Sequence, residues 1–225
     1  MPSLYTPRAN LITRALLLFI PLIMVGAIAS LFVYNYSPYI TSVGMPVEQP
    51  VPFSHEHHVG GLGIDCRYCH TAVETSNSAG LPPSETCMNC HAQLYTLAPL
   101  LEPVRESWRT DTPIAWRRVN SVPDFAYFNH SVHVKAGVGC VTCHGRVDEM
   151  PLMWKDQTLY MQWCIRCHRN PQPNLRPASM EFAMTSWERT TGGPTPVLNR
   201  LWERDGRSVV ALHTASLTDC SACHR

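Results

Sequence analysis

Ten cysteines constrain this chain more than any other feature, because all ten occur in pairs separated by two residues and a histidine follows each pair directly. Two thiols at this spacing can each add across one vinyl group of a haem, and the adjacent histidine then becomes the proximal ligand of the iron. The pattern therefore predicts five covalently attached c-type haems. The motifs are Cys66-Cys69-His70, Cys87-Cys90-His91, Cys140-Cys143-His144, Cys164-Cys167-His168 and Cys220-Cys223-His224.

Disulfides, zinc ribbons and a thioredoxin-like redox pair are the alternative uses of such cysteines. Disulfides need no histidine after each pair, and a zinc ribbon needs two paired knuckles for each metal, which five motifs cannot supply evenly. A redox pair normally occurs once, within a strand-helix-strand pattern. Haem attachment is the reading that accounts for all five motifs.

Residues 15–34 form an uncharged apolar run, about 30 Å long as a helix, which is the thickness of one hydrocarbon core. Arg8 and Arg14 precede the run, and the next charge is Glu48. The positive-inside rule thus predicts a single-pass anchor in the cytoplasmic membrane, with a cytoplasmic N-terminus and the haem domain on the periplasmic or outer side. A cleaved signal peptide is the alternative, but the apolar run continues past its candidate cleavage site at residues 27–29.

An internal repeat surrounds the first and third haem motifs. Its matching elements are a phenylalanine, two histidines three residues apart and a glycine before the cysteines. Each copy is followed by one more haem motif, so the soluble part reads as two dihaem modules and a C-terminal fifth site. The matched residues are Phe53 and Phe128, His55 and His130, His58 and His133, and Gly63 and Gly137.

The pattern F-x-H-x-x-H-V ahead of CxxCH resembles the multihaem cytochromes of the c3 and c7 type. That resemblance implies that His55 is the distal ligand of the haem on Cys66 and Cys69, and His130 that of the haem on Cys140 and Cys143. It also implies that His58 and His133 each bind a second haem of their cluster. Histidines three apart on a helix lie on one side, which suits this arrangement. His57 breaks the repeat and is read as a spare histidine.

The fifth haem has two candidate kinds of distal ligand. His213 lies seven residues before Cys220, as His133 lies seven before Cys140. Methionine is the other common low-spin ligand and would raise the potential. The methionines between the third and fourth motifs are Met150, Met153 and Met161.

About 36 residues per haem are too few for a separate apolar core around each one, so the haems themselves are expected to form the core. The predicted fold is a multihaem cytochrome c with one N-terminal transmembrane helix, short α-helices, long irregular loops and little β-structure. The predicted divisions are a cytoplasmic N-terminus and anchor at 1–36, a linker and first dihaem module at 37–95, a connecting segment at 96–127, a second dihaem module at 128–172, and an extended segment with the fifth haem site at 173–225.

The formal charge of +1 and the absence of dense basic runs give nucleic acid no support as a partner. The long connections carry Trp108, Trp187 and Trp202, which either cover haem edges or contact a partner. Both readings stay open.

The whole chain resembles the pentahaem, membrane-anchored cytochrome c subunit of alternative complex III. The strings that carry the resemblance are FSHEHHVGGLGIDCRYCH, LPPSETCMNCH, FNHSVHVKAGVGCVTCHGRVDEM and WCIRCHRNP. It implies an electron-transfer subunit of a quinol-oxidising membrane complex in a respiratory or photosynthetic chain. The implied partners are an iron-sulfur subunit, as donor, and a monohaem cytochrome or oxidase, as acceptor.

Two other functions fit the same motifs. One is a stand-alone quinol dehydrogenase of the NapC/NrfH kind, and the other is a multihaem reductase with an open iron. By itself the subunit is expected to be an electron carrier within an oxidoreductase complex, with no catalytic residues of its own.

Overall fold

A computed structural model describes residues 6–185 and 217–224. The chain divides into two compact units, Met1–Ser42 and Val43–Arg225.

The first unit is dominated by helix α1, Pro7–Asn35. Thr6 caps its N-terminus, because the Thr6 hydroxyl accepts a hydrogen bond from the N–H of Ala9 at 3.2 Å, and Pro7 occupies the first helical position. The helix includes the whole predicted span and begins eight residues before it. By length and composition, it is the one helix among the described residues that could cross a membrane. The short helix α2, Pro38–Thr41, follows it.

Polar side chains inside α1 are bonded to the helix itself. The hydroxyl of Thr13 donates to the carbonyl of Ala9 at 2.9 Å, and that of Ser30 donates to the carbonyl of Gly26 at 2.8 Å. Hydrocarbon offers no water to such groups, so these internal bonds suit a helix in lipid.

The second unit consists of short helices joined by turns. Five of these helices carry the cysteine motifs, one carries the second histidine pair, and one lies in the connecting segment. Their bounds are Cys66–Cys69 (α3), Ser84–His91 (α4), Glu102–Thr110 (α5), His130–Lys135 (α6), Val141–His144 (α7), Met161–Arg169 (α8) and Cys220–Cys223 (α9).

A π-helical turn, Glu56–Gly61, carries the first histidine pair. Turns of 3₁₀ helix lie at Pro99–Leu101, Val147–Glu149, Gln172–Asn174 and Ala178–Met180. Within residues 6–185 and 217–224 there is no strand, and only isolated bridges occur, such as the one between Val138 and Leu175. The predicted helical fold with little β-structure is confirmed for this part of the chain.

The apolar core is thin. In the described part of the chain only seven apolar side chains are buried, namely Val51, Val73, Val104, Val134, Met150, Leu175 and Met184. They lie singly along the chain rather than as a stripe on one long helix. This distribution agrees with a fold in which large prosthetic groups supply most of the apolar contact.

Helix α5 braces the second cysteine motif. Its Val104 and Ser107 are buried, and it packs against α4, where the Ser107 hydroxyl bonds that of Ser84. On its exposed side, ion pairs join Arg105 to Glu102 and Arg109 to Glu106. The connecting segment therefore begins as a support for the helix that carries Cys87 and Cys90.

Candidate functional site

Each cysteine motif forms one helical turn. In the first, third and fifth motifs the histidine N–H donates to the carbonyl of the first cysteine, at 2.8 Å for His70, 3.0 Å for His144 and 2.9 Å for His224. Positions three apart on a helix lie on one face. Each motif thus presents two thiols and an imidazole together, as attachment of a haem at three points requires.

All ten cysteines lie within the described residues, and none of them is joined to another in a disulfide. Burial raises the pKa of Cys140 to about 11 and, together with the neighbouring thiols of Cys167 and Cys164, that of Cys143 to about 12. No group of three or more potential metal-ligating side chains converges within residues 6–185 and 217–224.

Four of the five motif histidines face a backbone carbonyl through Nδ1. A carbonyl oxygen can only accept, so Nδ1 carries the hydrogen and Nε2 keeps its lone pair for a metal. The contacts are His70 with Gly80 at 2.7 Å, His91 with Leu94 at 3.2 Å, His168 with Leu217 at 2.8 Å and His224 with Phe125 at 2.8 Å.

Three histidines outside the cysteine motifs show the same bonding. Nδ1 of His58 donates to the carbonyl of Ser54 at 2.8 Å, and Nδ1 of His133 donates to that of Asn129 at 2.7 Å. Nδ1 of His130 donates to the carbonyl of Asn77 at 2.8 Å. In each case Nε2 is again left as the acceptor nitrogen.

The two repeats match in side-chain geometry. Phe53 stacks on His58 with ring centroids 4.4 Å apart and meets His55 edge-on at 4.9 Å. Phe128 stacks on His133 at 4.5 Å and meets His130 edge-on at 4.7 Å. The phenylalanine of the F-x-H-x-x-H motif therefore holds both histidines of its repeat in place.

The glycines before the cysteines also have the same backbone conformation in the two repeats. Gly63 and Gly137 both have positive φ, at +68° and +86°. That left-handed conformation turns the chain from each histidine pair into the following cysteine motif, and it favours glycine.

Three pairs of histidine rings face each other at one characteristic separation. The centroids are 6.3 Å apart for His58 and His91, 6.3 Å for His130 and His144, and 6.1 Å for His133 and His168. A metal ion bound to both imidazoles at about 2 Å, the usual metal–imidazole distance, sets ring centroids about 6 Å apart. Each pair thus fits two axial ligands of one iron. Where Nδ1 is hydrogen-bonded, Nε2 is the nitrogen left to bind the metal.

Among these contacts, His58 and His133 each face the second motif of their own repeat, at His91 and His168. His55 has no such ring contact within the described residues, and its Nδ1 is buried without a partner. After burial, His70 is the neighbour that lowers the pKa of His55 most. His57 is exposed, in keeping with its reading as a spare.

Burial keeps two of these histidines neutral. Burial, together with smaller effects of the neighbouring His70, His58 and His144, lowers the pKa of His55 to about 4. Burial also lowers the pKa of His144 to about 4, with smaller effects of His130 and His70. At neutral pH both imidazoles are unprotonated, which is the form that binds a metal.

The repeats exchange hydrogen bonds with each other. The N–H of Glu56, in the first histidine turn, donates to the carbonyl of Met150 after the third motif, at 3.1 Å. The N–H of Ser131, at the matching place in α6, donates to the carbonyl of Ser76 after the first motif, also at 3.1 Å. The two modules are thus related by a pseudo-twofold exchange that brings the first and third motifs together.

The first and third motifs also share one turn of the later chain. The N–H of Cys140 donates to the carbonyl of Glu181 at 3.1 Å, and the thiol of Cys66 faces the carbonyl of Phe182 at 4.0 Å. Arg67 lies over the Phe182 ring, 4.4 Å from its centroid.

Hydrogen bonds link the second, fourth and fifth motifs to the first and third. Asn89, inside the second motif, donates to the hydroxyl of Tyr68, inside the first, at 3.1 Å. Asn174 joins the third and fourth motifs, since its carbonyl accepts from Gly139 and its amide donates to the sulfur of Cys167. His168 reaches Leu217, three residues before the fifth motif. The five motifs therefore follow the spatial order second, first, third, fourth, fifth.

The fifth site is only partly described. Tyr127 donates to the carbonyl of Cys223 at 2.7 Å, and the Phe125 ring lies 5.8 Å from that of His224. His213 lies outside the described residues, as do Trp187 and Trp202.

The three candidate methionines differ in their surroundings. Met150 is fully buried beside Glu56, near the first repeat's histidines. Met153 accepts from Val47 through its carbonyl, and Met161 begins α8 with 68% of its surface exposed.

Sequence reasoning missed the groups that orient the histidines. Most are backbone carbonyls, which any residue supplies, so no sequence signal could have found them. The repeated phenylalanine was such a signal for the stacking role of Phe53 and Phe128. Asn120, whose side-chain amide lies 3.2 Å from Nδ1 of His144, had none.

Helical turns that each present two thiols and an imidazole, with further histidines facing them at metal-sharing distance, define a multihaem cytochrome c. No protein-family model matches the chain. It is 31% identical over 144 residues to the menaquinone reductase multiheme cytochrome c subunit of Nitratidesulfovibrio vulgaris Hildenborough, a match that covers 55% of this chain and 69% of that protein. The chain belongs to the family of that multihaem cytochrome c subunit.

Proposed function

We propose that the chain is a five-haem electron-transfer subunit of a membrane-bound quinone oxidoreductase. The observation that carries the proposal is the set of three histidine ring pairs at 6.1–6.3 Å whose other ring nitrogen is already hydrogen-bonded. Haems held in this way supply reversible one-electron transfer. The ten motif cysteines would hold them covalently.

The proposed ligand assignment follows the ring pairs for the second, third and fourth irons, and the resemblance to the c3 and c7 cytochromes for the first. His70 and His55 would bind the first iron, His91 and His58 the second, His144 and His130 the third, and His168 and His133 the fourth. His224 would bind the fifth, with either His213 or one of Met150, Met153 and Met161 opposite it. Both kinds of fifth ligand stay in the proposal.

The chain's own residues hold the imidazoles in place. The stacked phenylalanines limit rotation of the distal rings, and the Nδ1 bonds fix their tautomer. Since the sites form a continuous row and every paired imidazole is held rigidly, little reorganisation accompanies a change in charge at any site. That rigidity is what an electron carrier needs.

Quinone is proposed as the redox partner because the relative from Nitratidesulfovibrio is a menaquinone reductase subunit. The resemblance to the alternative complex III subunit supports the opposite net direction, quinol oxidation, with an iron-sulfur subunit as donor to this chain and a cytochrome or oxidase as acceptor. We propose the latter assembly, with α1 as its anchor, the N-terminus in the cytoplasm and the haem domain outside.

Intact mass and a haem assay of the purified full chain test the haem count. Five covalently added haems are expected, and a chain mass without added macrocycles would overturn the proposal. The ligand assignment is tested by His58→Ala, with His57→Ala as the matched control next to it. The first variant should convert one low-spin haem to high spin, and the control should leave the spectrum unchanged.

Quinone assays separate the assemblies. A stand-alone dehydrogenase of the NapC/NrfH kind would be reduced by menaquinol as the purified single subunit. The proposed subunit of a larger complex requires its partners for that reduction. A wholly low-spin spectrum of the unaltered chain would argue against a reductase with an open iron.

A further inference from the structure

One of the five motif histidines is oriented by a side chain instead of a backbone carbonyl. Nδ1 of His144 lies 3.2 Å from the side-chain amide of Asn120, in the connecting segment. Its counterpart in the first repeat, His70, donates to the carbonyl of Gly80 at 2.7 Å within its own module. The connecting segment thus breaks the symmetry of the repeats at the third site, which lies in the middle of the row.

The side-chain amide of Asn120 can point either its nitrogen or its oxygen at His144. The nitrogen Nδ2 faces His144, while Oδ1 is buried without a hydrogen-bond partner. The two ends have nearly the same shape, and their assignment is decided by the hydrogen bonds they make. Rotation by 180° brings Oδ1 to Nδ1 of His144 and moves Nδ2 to the buried position where Oδ1 has no partner. Only the rotated amide lets Nδ1–H donate, as it does in the other four motif histidines, and leaves the lone pair of Nε2 for iron.

We propose that Asn120 is a positioning residue for the third haem site, with Oδ1 accepting the hydrogen bond from Nδ1 of His144. The bond holds the His144 ring nearly parallel to that of His130, at an interplanar angle of 9°. It also sets how strongly the imidazole donates to iron, because a better acceptor at Nδ1 makes Nε2 more basic. This inference rests on the proposed function, since it concerns a ligand of a bound haem.

The reduction potential of the third haem site therefore depends on a side chain that can be substituted. A backbone carbonyl cannot be removed by substitution, so the potentials at the other four sites are insulated from such changes. At the third site, a carboxylate in place of the amide strengthens the histidine, stabilises ferric iron and lowers the potential. An apolar side chain does the reverse.

Asn120→Asp and Asn120→Leu test this, in the full chain purified with its haems and titrated by spectroelectrochemistry. Asn120→Asp should raise the ferric-to-ferrous ratio of one haem about tenfold at a fixed potential, which is about 59 mV for one electron. Asn120→Leu should shift the same haem the opposite way. Gln49→Leu is the control, because the Gln49 amide bonds the backbone of Arg117 in the same connecting segment and lies outside the cysteine and histidine motifs.

Opposite shifts separate this role from a merely structural one, since loosened packing would move the potential in one direction for both variants. Shifts of the same sign, or five unchanged potentials in a chain that carries five haems, would overturn the role of Asn120 alone. A chain without haems would instead overturn the proposed function. If the leucine variant does not fold, the nearly isosteric Asn120→Asp still decides by its sign.

Discussion

The glycines before the first and third cysteine motifs provide a matched pair for measuring a steric contact. Gly63 and Gly137 occupy equivalent places in the repeats, and both have positive φ. Alanine in that conformation costs about 1–2 kcal/mol, of which about 0.4–1 kcal/mol is offset because alanine restricts the unfolded chain. On backbone grounds alone, Gly63→Ala and Gly137→Ala should each lower the free energy of unfolding by about 1 kcal/mol.

The surroundings of the two positions differ. A Cβ at Gly63 meets no atom within 4 Å, whereas a Cβ at Gly137 lies 3.0 Å from the carbonyl oxygen of Arg176. The N–H of Arg176 donates to the carbonyl of Gly137 at 2.7 Å, so the two segments cannot separate without weakening that bond. Overpacking of this kind adds about 1–3 kcal/mol, which gives about 2–4 kcal/mol for Gly137→Ala.

Urea unfolding of the haem-loaded chain, followed by the haem absorbance and by far-ultraviolet circular dichroism, measures the difference. At equal slopes, the midpoint of Gly137→Ala should fall clearly below that of Gly63→Ala. Equal midpoints, or a larger loss for Gly63→Ala, would refute the contact between Gly137 and Arg176 as described.

Three further predictions concern the histidine clamp, the anchor and an ion pair. Phe128→Leu should lower the free energy of unfolding by about 1–3 kcal/mol and broaden the low-spin signals of two haems, because Phe128 contacts both His130 and His133; narrow, unchanged signals in electron paramagnetic resonance would contradict it. Deletion of α1 should move the chain from carbonate-washed membranes to the soluble fraction, with its haem domain intact by absorbance. Hydrogen bonds from Arg67 lower the pKa of Asp65, so this stabilisation is complete above about pH 4, the value of an unfolded carboxyl, and is lost as the pH falls through the lower folded pKa. Asp65→Asn should therefore flatten the acid limb of stability measured against pH, and an unaltered limb would exclude the role.

The sequence was a good guide where a pattern corresponds directly to local structure. The apolar run that follows Arg14 predicted a membrane-length helix, and α1 includes that run. The few residues per haem predicted a fold of short helices, and the described residues contain no strand. The repeat was visible because a phenylalanine, two histidines and a glycine recur at matched spacing, and those residues have matched geometry.

The pairing of sites could not be read in the same way. Helical spacing places His55 and His58 on one side of a turn, but it does not say which motif folds back to meet them. That depends on the turns after the motifs and on α5, which braces α4 through Ser107. Asn120 shows the same limit, since a lone asparagine in a long connection carries no pattern, and its contact with His144 exists only in three dimensions.

The reciprocal hydrogen bonds between the modules explain why the spatial order of the motifs differs from their order in the chain. The N–H of Glu56 donates to the carbonyl of Met150, and the N–H of Ser131 donates to that of Ser76. Each histidine turn is therefore bonded to the loop that follows the first motif of the other module. This exchange fixes the first and third motifs at the centre and directs the second and fourth outward. The fifth motif then extends only one end, through His168 and Leu217. In the proposed function, redox partners must therefore approach near the second and fifth motifs, the two ends of the row, whereas a change at the central sites affects every electron that crosses it.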